Sequence, residues 1–505
     1  MRRFVITSDN VQRADNDSTT VQIEDIPEAA STSYSVPGST TERFEGNITV
    51  IDSVHRQGAR LVEMDDEVAD AMNSDPNMLL RVVPQVDYPL PETQFFLQRS
   101  SFDQEVAEAG PDAREISFFC TDANTKKALP GVEVLLGNED GPICNGKTDS
   151  NGKVSILILR PDVTDRLWAL TDSNHWGASR RNLDLREVES IEISIPPVIL
   201  PYSDAVAKYY GNSKFDSETG VVVGILDSGV GPHPDLNVIG GQNTVTGELA
   251  SAFEDWKGHG THVAGLVGAS PSQHAGIRGL APGVMIRSYR VFGDGARGAS
   301  NYAIMKAMIL AVDDGCDIIN LSVGGGPEEL IVAEAIQDAR NRGVLVVVSA
   351  GNNGRKEVTF PAAYPGAIAV SAMGLEESFP AGALCESEIL RPPEVQNSPE
   401  FIASFSNMGP KVTCSGLGVG VLSTLPHGGY GPSSGTSMAA PVVAGVAACL
   451  LSQSKDIYNM PRTRARSDAL EAMLLSSCIP RGFGPDYEGA GLPNVEDIQS
   501  WQGMS

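Results

Sequence analysis

The sequence predicts an α/β fold for residues 198–505, with a parallel sheet covered by helices and two smaller units before it. In that part, apolar runs alternate with helically periodic segments, which is the pattern of strand–helix–strand units. Between residues 114 and 197, short apolar runs recur at even spacing, which favours a β-sandwich. Residues 1–113 mix strand and helix patterns and favour a small α+β unit. A length of 505 residues is typical of two or three globular domains.

The C-terminal pattern begins with a fully apolar run at residues 221–226, which predicts a buried strand. Further strands are predicted at 284–291, 317–323, 344–349 and 368–372, and helices at 259–269, 299–312, 328–342 and 463–477. In sheets of this kind, functional groups collect at the carboxyl ends of the strands. A Pro- and Glu-rich stretch at residues 376–400 interrupts the alternation, and we expect a surface insertion there.

The N-terminal unit has a predicted order of two strands, a helix and a strand after a first strand at residues 2–7. The strands fall at 48–51, 59–64 and 79–86, and the helix at 65–73. Ser, Thr, Asn and Asp dominate much of the stretch from 11 to 46, which predicts a flexible segment. From these elements alone, we interpret the unit as a small α+β module that packs against the rest of the protein.

The middle unit contains one motif that suggests nucleotide binding. Its strands are predicted at 116–120, 132–136, 153–159, 166–171 and 191–195. Residues 141–148 fit the phosphate-loop pattern G-x-x-x-x-G-K-[ST]. A phosphate cradle needs a helix directly after the lysine, because the helix N-terminus supplies the N–H donors. Here a turn and then a strand follow Lys147, so a nucleotide site has little support.

Composition limits the partners and the compartment. The net charge is −27 and the isoelectric point is about 4.6, which argues against nucleic acid and anionic membrane as partners. The seven cysteines are scattered without a Cys-x-x-Cys pair, which is neither a disulfide framework nor a zinc site and fits a reducing compartment. We see no signal peptide and no run apolar enough to span a bilayer, so a cytoplasmic location is favoured over secretion.

A serine near the C-terminal end has two interpretations. Ser437 stands between a small turn and a long apolar helical pattern at residues 442–451, so it lies at or near a helix N-terminus. There the free N–H groups and the helix dipole favour a developing negative charge, and we expect the serine to be exposed. It is either a helix cap, which is the default for such a serine, or a nucleophile supplied with a base and an oxyanion donor.

An aspartate and a histidine earlier in the chain favour the interpretation of Ser437 as a nucleophile. Asp227 directly follows the apolar run at 221–226 and precedes a glycine turn, so it faces the carboxyl edge of the sheet. Alone, it is equally well a turn aspartate. His259 opens a predicted helix between Gly258 and Gly260, which we expect to leave the ring exposed. A metal pair with His262 has little support, because no H-E-x-x-H pattern and no nearby cysteine accompany it.

The chain order Asp227, His259, Ser437 resembles the subtilase family of serine endopeptidases, over residues 199–500. The resemblance rests on six blocks in family order: Asp227-Ser228-Gly229, His259 to Gly265, Asn320 to Gly325, Ser349-Ala350-Gly351-Asn352, Ser404 to Pro410, and Gly435 to Pro441. It implies an enzyme that hydrolyses polypeptides through an Asp227–His259–Ser437 triad. Asn352 would donate to the oxyanion. Substrate would pair with Leu321, Ser322, Val323, Gly324 and Gly325. No cofactor is expected; calcium is common in the family, but no ligands can be assigned.

The two upstream units resemble other known modules. Residues 58–64 and 80–84 resemble the propeptide inhibitor of subtilases, which implies a zymogen inhibited by its own N-terminal region. Residues 128–134 and 146–154 resemble carboxypeptidase-regulatory or transthyretin-like sandwiches, which pack or bind rather than catalyse. Processing is then expected at 92–113, the site that we favour, or at 196–202.

Two other functions remain open at this point. One is an inactive protein with the same fold that binds or scaffolds. The other is an ATP-using enzyme that acts through Lys147. The first predicts an unreactive Ser437, and the second predicts that ATP raises the melting temperature.

Overall fold

The structure is a computed structural model, and it describes residues 1–8, 31–36, 44–54, 58–74, 80–89, 113–138, 141–171, 174–255, 257–271, 276–296, 298–391, 395 and 398–495. The expected processing region at 92–113 lies outside these residues, except for residue 113. So does most of the segment predicted to be flexible, 11–46.

The N-terminal unit is one sheet with a helix packed on it. Its elements are β1 (Arg2–Ser8), β2 (Ser31–Val36), β3 (Phe44–Ser53), β4 (Arg60–Met64), α1 (Asp66–Ser74), β5 (Leu80–Pro84) and β6 (Asp87–Pro89). Five of the strands form a sheet in the order β2-β3-β4-β1-β5. The apolar face of α1, with Val68, Ala69 and Met72, packs onto this sheet. The prediction that residues 11–46 form only a flexible segment was wrong for β2 and the start of β3, which pair with each other.

The middle unit consists of two small sheets around a common apolar cluster. Its strands are β7 (Arg114–Asp122), β8 (Glu133–Asn138), β9 (Gly141–Lys147), β10 (Lys153–Ile158), β11 (Arg166–Leu170), β12 (Ala178–Arg180) and β13 (Ser190–Ile195). The sheets have the orders β10-β7-β13 and β12-β11-β8-β9. The phosphate-loop motif falls in β9, a strand followed by a turn and another strand, which offers no helix N-terminus to a phosphate.

The C-terminal unit has a large, mostly parallel sheet. Its first elements are α2 (Ala205–Tyr210), β14 (Val222–Asp227), β15 (Val238–Asn243), α3 (His259–Gly268), β16 (Met285–Arg290), β17 (Gly298–Ser300), α4 (Asn301–Asp313), β18 (Ile318–Leu321), α5 (Leu330–Asn341), β19 (Leu345–Ser349) and β20 (Ala367–Leu375). Its later elements are β21 (Ile389–Leu390), β22 (Glu400–Ala403), β23 (Cys414–Leu417), β24 (Val421–Leu425), β25 (Gly429–Ser433), α6 (Thr436–Gln453), α7 (Lys455–Tyr458), α8 (Arg464–Ser476), β26 (Cys478–Ile479), α9 (Pro485–Glu488) and β27 (Leu492–Pro493).

The order of the strands in the large sheet is β15-β16-β14-β18-β19-β20-β22-β21, and β23 also pairs with β20. All pairs from β15 to β20 are parallel, as is the β20–β23 pair, whereas β22 runs antiparallel to β20. One apolar cluster contains α3 and α6, and another contains α4 and α5, so the central strands are buried on both faces. These strands are therefore apolar at nearly every position, which explains their continuous apolar runs.

Residues 376–400 are not a surface insertion, which corrects the sequence-based expectation. Phe379, Leu384 and Cys385 are buried, and β21 joins the edge of the large sheet through β22. Leu384 also packs against Leu135 and Leu170 of the middle unit. The prolines and glutamates that suggested a surface insertion therefore stand among apolar residues that pack inward, and one of these, Leu384, contacts the middle unit.

Helix α6 corrects a second expectation. It has 18 residues with a mean hydropathy of 1.4, which is long and apolar enough to cross a bilayer by composition. However, 94% of it is buried inside the protein, as expected for the central helix of a large core.

Candidate active site

Asp227 is held at the carboxyl edge of the sheet. It is the last residue of β14, where the strand is fully buried, and its side chain has no exposed surface. Its Oδ1 atom accepts a hydrogen bond from the Ser228 backbone N–H at 2.7 Å. The carboxylate is thus fixed by its own backbone and turned toward the helix that begins at His259.

His259 is the first residue of α3, and its Nδ1 atom lies 2.7 Å from Asp227 Oδ1. Close approach of the two segments depends on Gly260, where an added Cβ would come within 2.0 Å of the Gly229 carbonyl oxygen. Burial disfavours the imidazolium, but attraction to Asp227 and the hydrogen bond to it outweigh burial, so the pKa of His259 is raised. The Asp227 contact also sets the tautomer, with the proton on Nδ1 and Nε2 left as the basic nitrogen.

Asp255 is a buried carboxylate that holds the start of α3 in place, and the sequence reasoning missed it. Its Oδ1 atom accepts from the backbone N–H groups of Lys257 and Gly258, and its Oδ2 atom accepts from Thr261 N and Oγ1. These bonds satisfy N–H groups at the start of α3, which the glycine before His259 cannot cap. Burial raises the pKa of Asp255. The sequence offered one signal for Asp255, which is its position as an acidic residue four positions before His259.

Ser437 lies in the first turn of α6, and Ser322 fixes its backbone. Pro441 lies four residues further along the helix and has no N–H to donate to the Ser437 carbonyl. Ser322 Oγ donates to that carbonyl oxygen at 2.9 Å instead. Ser322, predicted to bind substrate, therefore also holds the helix turn that carries Ser437.

The sheet register brings these residues together. Strands β14 and β18 are parallel neighbours in which Leu226 is opposite Leu321. Asp227 and Ser322, the next residues, thus lie at the same edge, one in contact with the start of α3 and the other with the start of α6. The two helices also pack together, since a Cβ at Gly445 would lie 3.3 Å from the Val267 carbonyl.

The side chains of Ser437 and His259 are both buried, which corrects the expectation that they are exposed. Ser437 has no exposed surface and His259 is 2% exposed. Among the described residues, neither Ser437 Oγ nor His259 Nε2 has a hydrogen-bond partner. Both atoms are therefore without competing hydrogen bonds from the described part of the chain.

Asn352 lies beside the start of α6, three residues after the end of β19, which is the neighbour of β18 in the sheet. Its Oδ1 atom accepts from Thr436 N at 2.9 Å and from Thr436 Oγ1 at 2.7 Å. Thr436 Oγ1 in turn accepts from the Gly351 N–H at 3.2 Å. Because the amide oxygen is engaged by Thr436, the orientation of the side-chain amide is set and its N–H₂ group faces away from Thr436.

The described part of the chain shows no metal centre. It holds no cluster of three or more His, Cys, Asp or Glu side chains at metal-binding distance. His262 Nε2 instead donates to the Gly431 carbonyl at 3.1 Å, and burial lowers the pKa of His262 to about 3.

Of the residues predicted to bind substrate, only Leu321 lies in a strand. Ser322, Val323, Gly324 and Gly325 continue beyond β18 without regular structure. The segment beside them is β6 of the N-terminal unit, which pairs antiparallel with β17. A Cβ at Gly325 would lie 3.1 Å from Pro89, so β6 runs between β17 and this segment.

Comparison with known proteins agrees with this geometry. Residues 218–489 match the model of the family described as Subtilase family. The chain is 36% identical to Subtilisin BL and 35% identical to Subtilisin Savinase, both from Lederbergia lenta, over 278 residues each, which is 55% of this chain and 90% of those proteins. It is 35% identical to M-protease from Shouchella clausii (strain KSM-K16) over 280 residues, which span 55% of this chain and 64% of that protein.

Proposed function

Because the chain belongs to the subtilase family and is a subtilisin-like serine protease, we propose that it hydrolyses peptide bonds in polypeptides with Asp227, His259 and Ser437 as its catalytic triad. The observation that carries the proposal is the 2.7 Å contact between Asp227 and His259 at the sheet edge where Ser437 begins its helix. A serine hydroxyl is a weak nucleophile at neutral pH and needs such a base.

Each triad member has one task. Ser437 Oγ attacks the carbonyl carbon of the substrate while His259 Nε2 accepts its proton. The imidazolium then gives that proton to the departing amine. Asp227 keeps Nδ1 protonated and stabilises the imidazolium through its negative charge, which the raised pKa of His259 reflects. Loss of the amine leaves the substrate's acyl group as an ester on Ser437. Water then attacks this ester with His259 again as the base, which releases the second product and restores the serine.

The developing oxyanion is stabilised by Asn352 and by the Ser437 backbone N–H. The orientation that Thr436 imposes on Asn352 supports this role, because a donor fixed in advance does not have to reorganise during the reaction. Losing one such donor costs about 10²–10³ in kcat in related enzymes. We therefore expect Asn352→Ala to lower kcat by about that factor with little change in KM.

Labelling with a fluorophosphonate tests the proposed triad. We expect the probe to label the protein once the N-terminal unit is displaced, and Ser437→Ala to abolish labelling. Ser433→Ala, four residues before Ser437, is a matched control that should keep it. Absence of labelling in the processed wild type would overturn the triad and favour the alternative of an inactive binding or scaffold protein.

We further propose that the enzyme is made as a zymogen inhibited by residues 1–89. Three contacts to α4 and α5 support this role. Lys306 Nζ lies 2.7 Å from Asp52, Arg81 pairs with Glu334, and the Asn301 N–H donates to the Val86 carbonyl at 2.8 Å. With β6 beside residues 321–325, the unit occupies the path where a peptide substrate would add as a strand.

Weakening this interface should increase activity in the full-length chain. We expect Lys306→Met to raise the rate of peptide hydrolysis before processing, because Asp52 then loses its partner at a largely buried position. Arg160→Met is the control, since the Arg160–Asp162 pair is about half exposed on the middle unit. Equal rates in both variants and the wild type would contradict inhibition by this interface.

We propose that processing occurs within residues 92–113 rather than at 196–202. The alternative site is hydrogen-bonded to the middle unit, with Trp176 N donating to Pro196 O at 2.9 Å and Val198 N to Asn174 O at 2.8 Å. A protease needs an extended segment free of such bonds. N-terminal sequencing of the wild type beside Ser437→Ala tests the assignment. A new N-terminus near residue 200, or an uncut wild type, would overturn it.

The middle unit is proposed to remain attached as a sandwich that braces the catalytic unit. Asn174 N donates to Tyr430 O at 3.0 Å, in the hairpin that leads to Ser437. Ser179 N donates to Gly382 O at 3.1 Å, and Arg181 donates to Ser387 O at 2.8 Å. These contacts join the middle unit to residues 376–400 as well as to the hairpin of β24 and β25.

A further inference from the structure

Asn407 is the central residue of the Ser404–Pro410 block, to which the proposed mechanism gives no task. It is 1% exposed. Within the described part of the chain, its side-chain hydrogen bonds all go to the segment that follows β19 and carries Asn352. A buried amide that bonds to one segment alone indicates a role in shaping that segment.

The Asn407 amide uses its oxygen and its nitrogen on the residues around Asn352. Its Oδ1 atom accepts from the Asn353 N–H at 2.8 Å. Its Nδ2 atom donates to the Ala350 carbonyl at 3.2 Å and to Asn353 Oδ1 at 3.1 Å. One planar group that accepts one bond and donates two is what asparagine offers and what aspartate and serine do not.

The Asn407 backbone adds a fourth hydrogen bond to the same segment. Its N–H donates to the Gly351 carbonyl at 3.0 Å. Gly351 has a φ of +108°, and a Cβ there would lie 2.4 Å from Asn407 Nδ2. Only glycine suits both this conformation and this close approach. The residues on both sides of Asn352 are thus bonded to Asn407.

Asn407 is itself fixed to the large sheet. The residue before it, Ser406, accepts the Ala372 N–H of β20 on its Oγ atom at 3.0 Å. Strand β20 is the parallel neighbour of β19, from whose end the Asn352 segment continues. The sheet therefore fixes the position of Asn407 relative to the end of β19.

We propose that Asn407 is a positioning residue for the oxyanion donor and holds the Asn352 amide at the place where the oxyanion develops. The inference rests on the proposed oxyanion role of Asn352. Asn407 holds the backbone on both sides of Asn352, and Thr436 holds its side-chain oxygen. The donor is thereby oriented before substrate binds, which is the condition for stabilising the transition state without reorganisation.

The expected effect lies between no change and loss of the donor. In Asn407→Ala the Asn353 N–H loses its acceptor and the segment around Asn352 relaxes. A misplacement of about 1 Å at a reacting centre costs up to about 10²-fold in rate. Complete loss of an oxyanion donor costs about 10²–10³ in kcat. We therefore expect Asn407→Ala to lower kcat by about tenfold, less than Asn352→Ala does, with KM nearly unchanged.

All variants are compared in the full-length chain after the same removal of the N-terminal unit. Trypsin cuts after lysine and arginine, and Arg99 is the only such residue in the segment 92–113. Limited digestion with trypsin, then stopped with benzamidine, processes every variant alike, whatever its own activity. A reporter peptide then gives kcat and KM.

A double-mutant cycle separates positioning from a general loss of stability. If Asn407 acts through Asn352, then Asn407→Ala should change kcat by less than about twofold in a chain that already carries Asn352→Ala. Ser467→Ala is the matched control, because Ser467 is buried and its Oγ donates to the Arg340 and Arg464 carbonyls. Its kcat should equal that of the wild type.

A peptide aldehyde gives a second readout, which a loss of stability does not move. The Ser437 hydroxyl adds to the aldehyde and forms a hemiacetal, whose oxygen takes the place of the oxyanion. We expect the inhibition constant to rise about tenfold in Asn407→Ala and to stay constant in Ser467→Ala. The KM of the matching peptide should stay nearly constant in both.

Asn353→Ala tests the same contact at an exposed residue, where folding is not at risk. It removes one acceptor of Asn407 and should lower kcat about two- to threefold. Losses that vanish in the Asn352→Ala background support the inference. Losses that multiply with that of Asn352→Ala, or an unchanged kcat in Asn353→Ala and in any Asn407→Ala chain that folds, overturn it and leave the protease function intact.

Two further outcomes reach beyond Asn407. An unchanged kcat in Asn352→Ala overturns the oxyanion role of Asn352 together with this inference. A processed wild type that neither cleaves the reporter nor reacts with a fluorophosphonate overturns the proposed function as a whole.

Discussion

Ser322 Oγ donates a hydrogen bond to the carbonyl oxygen of Ser437 at 2.9 Å. The bond exists because Pro441 cannot supply the N–H that would normally satisfy that carbonyl in a helix. The strand edge at β18 is thereby tied to the turn that carries the proposed nucleophile. Substrate alignment and nucleophile position depend on the same residue.

This relationship predicts that Ser322→Ala lowers kcat roughly tenfold with KM nearly unchanged, because a buried carbonyl loses its partner and the helix turn relaxes. Ser322→Thr keeps the hydroxyl and should restore most of the rate. Steady-state kinetics measure both. Ser415→Ala, which removes a buried hydroxyl bonded to Ser371 rather than to the helix turn, is the control. A drop in the control as large as in Ser322→Ala would refute the positional role.

Replacement of Asp227 should change the pH dependence as well as the rate. In the wild type, Asp227 raises the pKa of His259, so kcat/KM falls as the pH drops through a value above the ordinary one for histidine. In Asp227→Asn this attraction is lost while burial still disfavours the imidazolium. We expect the acid limb to move to lower pH and kcat to fall about 10⁴-fold. An acid limb at the same pH in both proteins would contradict the assignment of His259 as the base.

His262 should make stability depend on pH. Burial lowers its pKa to about 3 in the folded chain, whereas the unfolded chain binds a proton near its ordinary value. The stabilising contribution of neutral His262 is therefore complete above that ordinary value and is lost as the pH falls toward 3, by at most about 1.4 kcal/mol per pH unit.

We expect His262→Gln to reduce this slope, as measured by urea unfolding between pH 7 and pH 4. His427→Asn is the control, because His427 is exposed and its backbone has a positive φ that asparagine tolerates. A slope as steep in His262→Gln as in the wild type would show that other groups cause it.

Trp176 should stabilise the interface between the middle unit and the catalytic unit. It has no exposed surface, it belongs to the apolar cluster of the catalytic unit, and its ring lies 4.8 Å from that of Tyr202. Trp176→Ala should lower the free energy of unfolding by about 3–5 kcal/mol through the cavity that it leaves. Denaturant unfolding measures the loss. Leu157→Ala, at a side chain that is 59% exposed, should change the free energy of unfolding little. Equal losses in the two variants would contradict a stabilising role of Trp176 at this interface.

Much of the catalytic unit follows from local sequence. The strand that ends at Asp227 and the helix that starts at His259 lie where the sequence predicts them, because a strand buried on both faces must be apolar throughout. The segment at 376–400 shows where such reasoning fails. Its polar residues suggested a surface loop, yet Leu384 is buried against the middle unit, and no local pattern can encode a partner more than two hundred residues away.

By itself, the sequence determined the order of strands and helices, the residues with reactive side chains and the likeness to one family, since these depend on neighbours along the chain. Only the tertiary structure decided that Ser437 and His259 are buried, that Asp255 satisfies the start of α3, and that Tyr88 ends beside Glu329. Those features are set by the parallel register of β14 with β18 and by the docking of β6 on β17. Both join segments that are distant in the chain, and their free energy comes from burial and hydrogen bonds that exist only after the chain has folded.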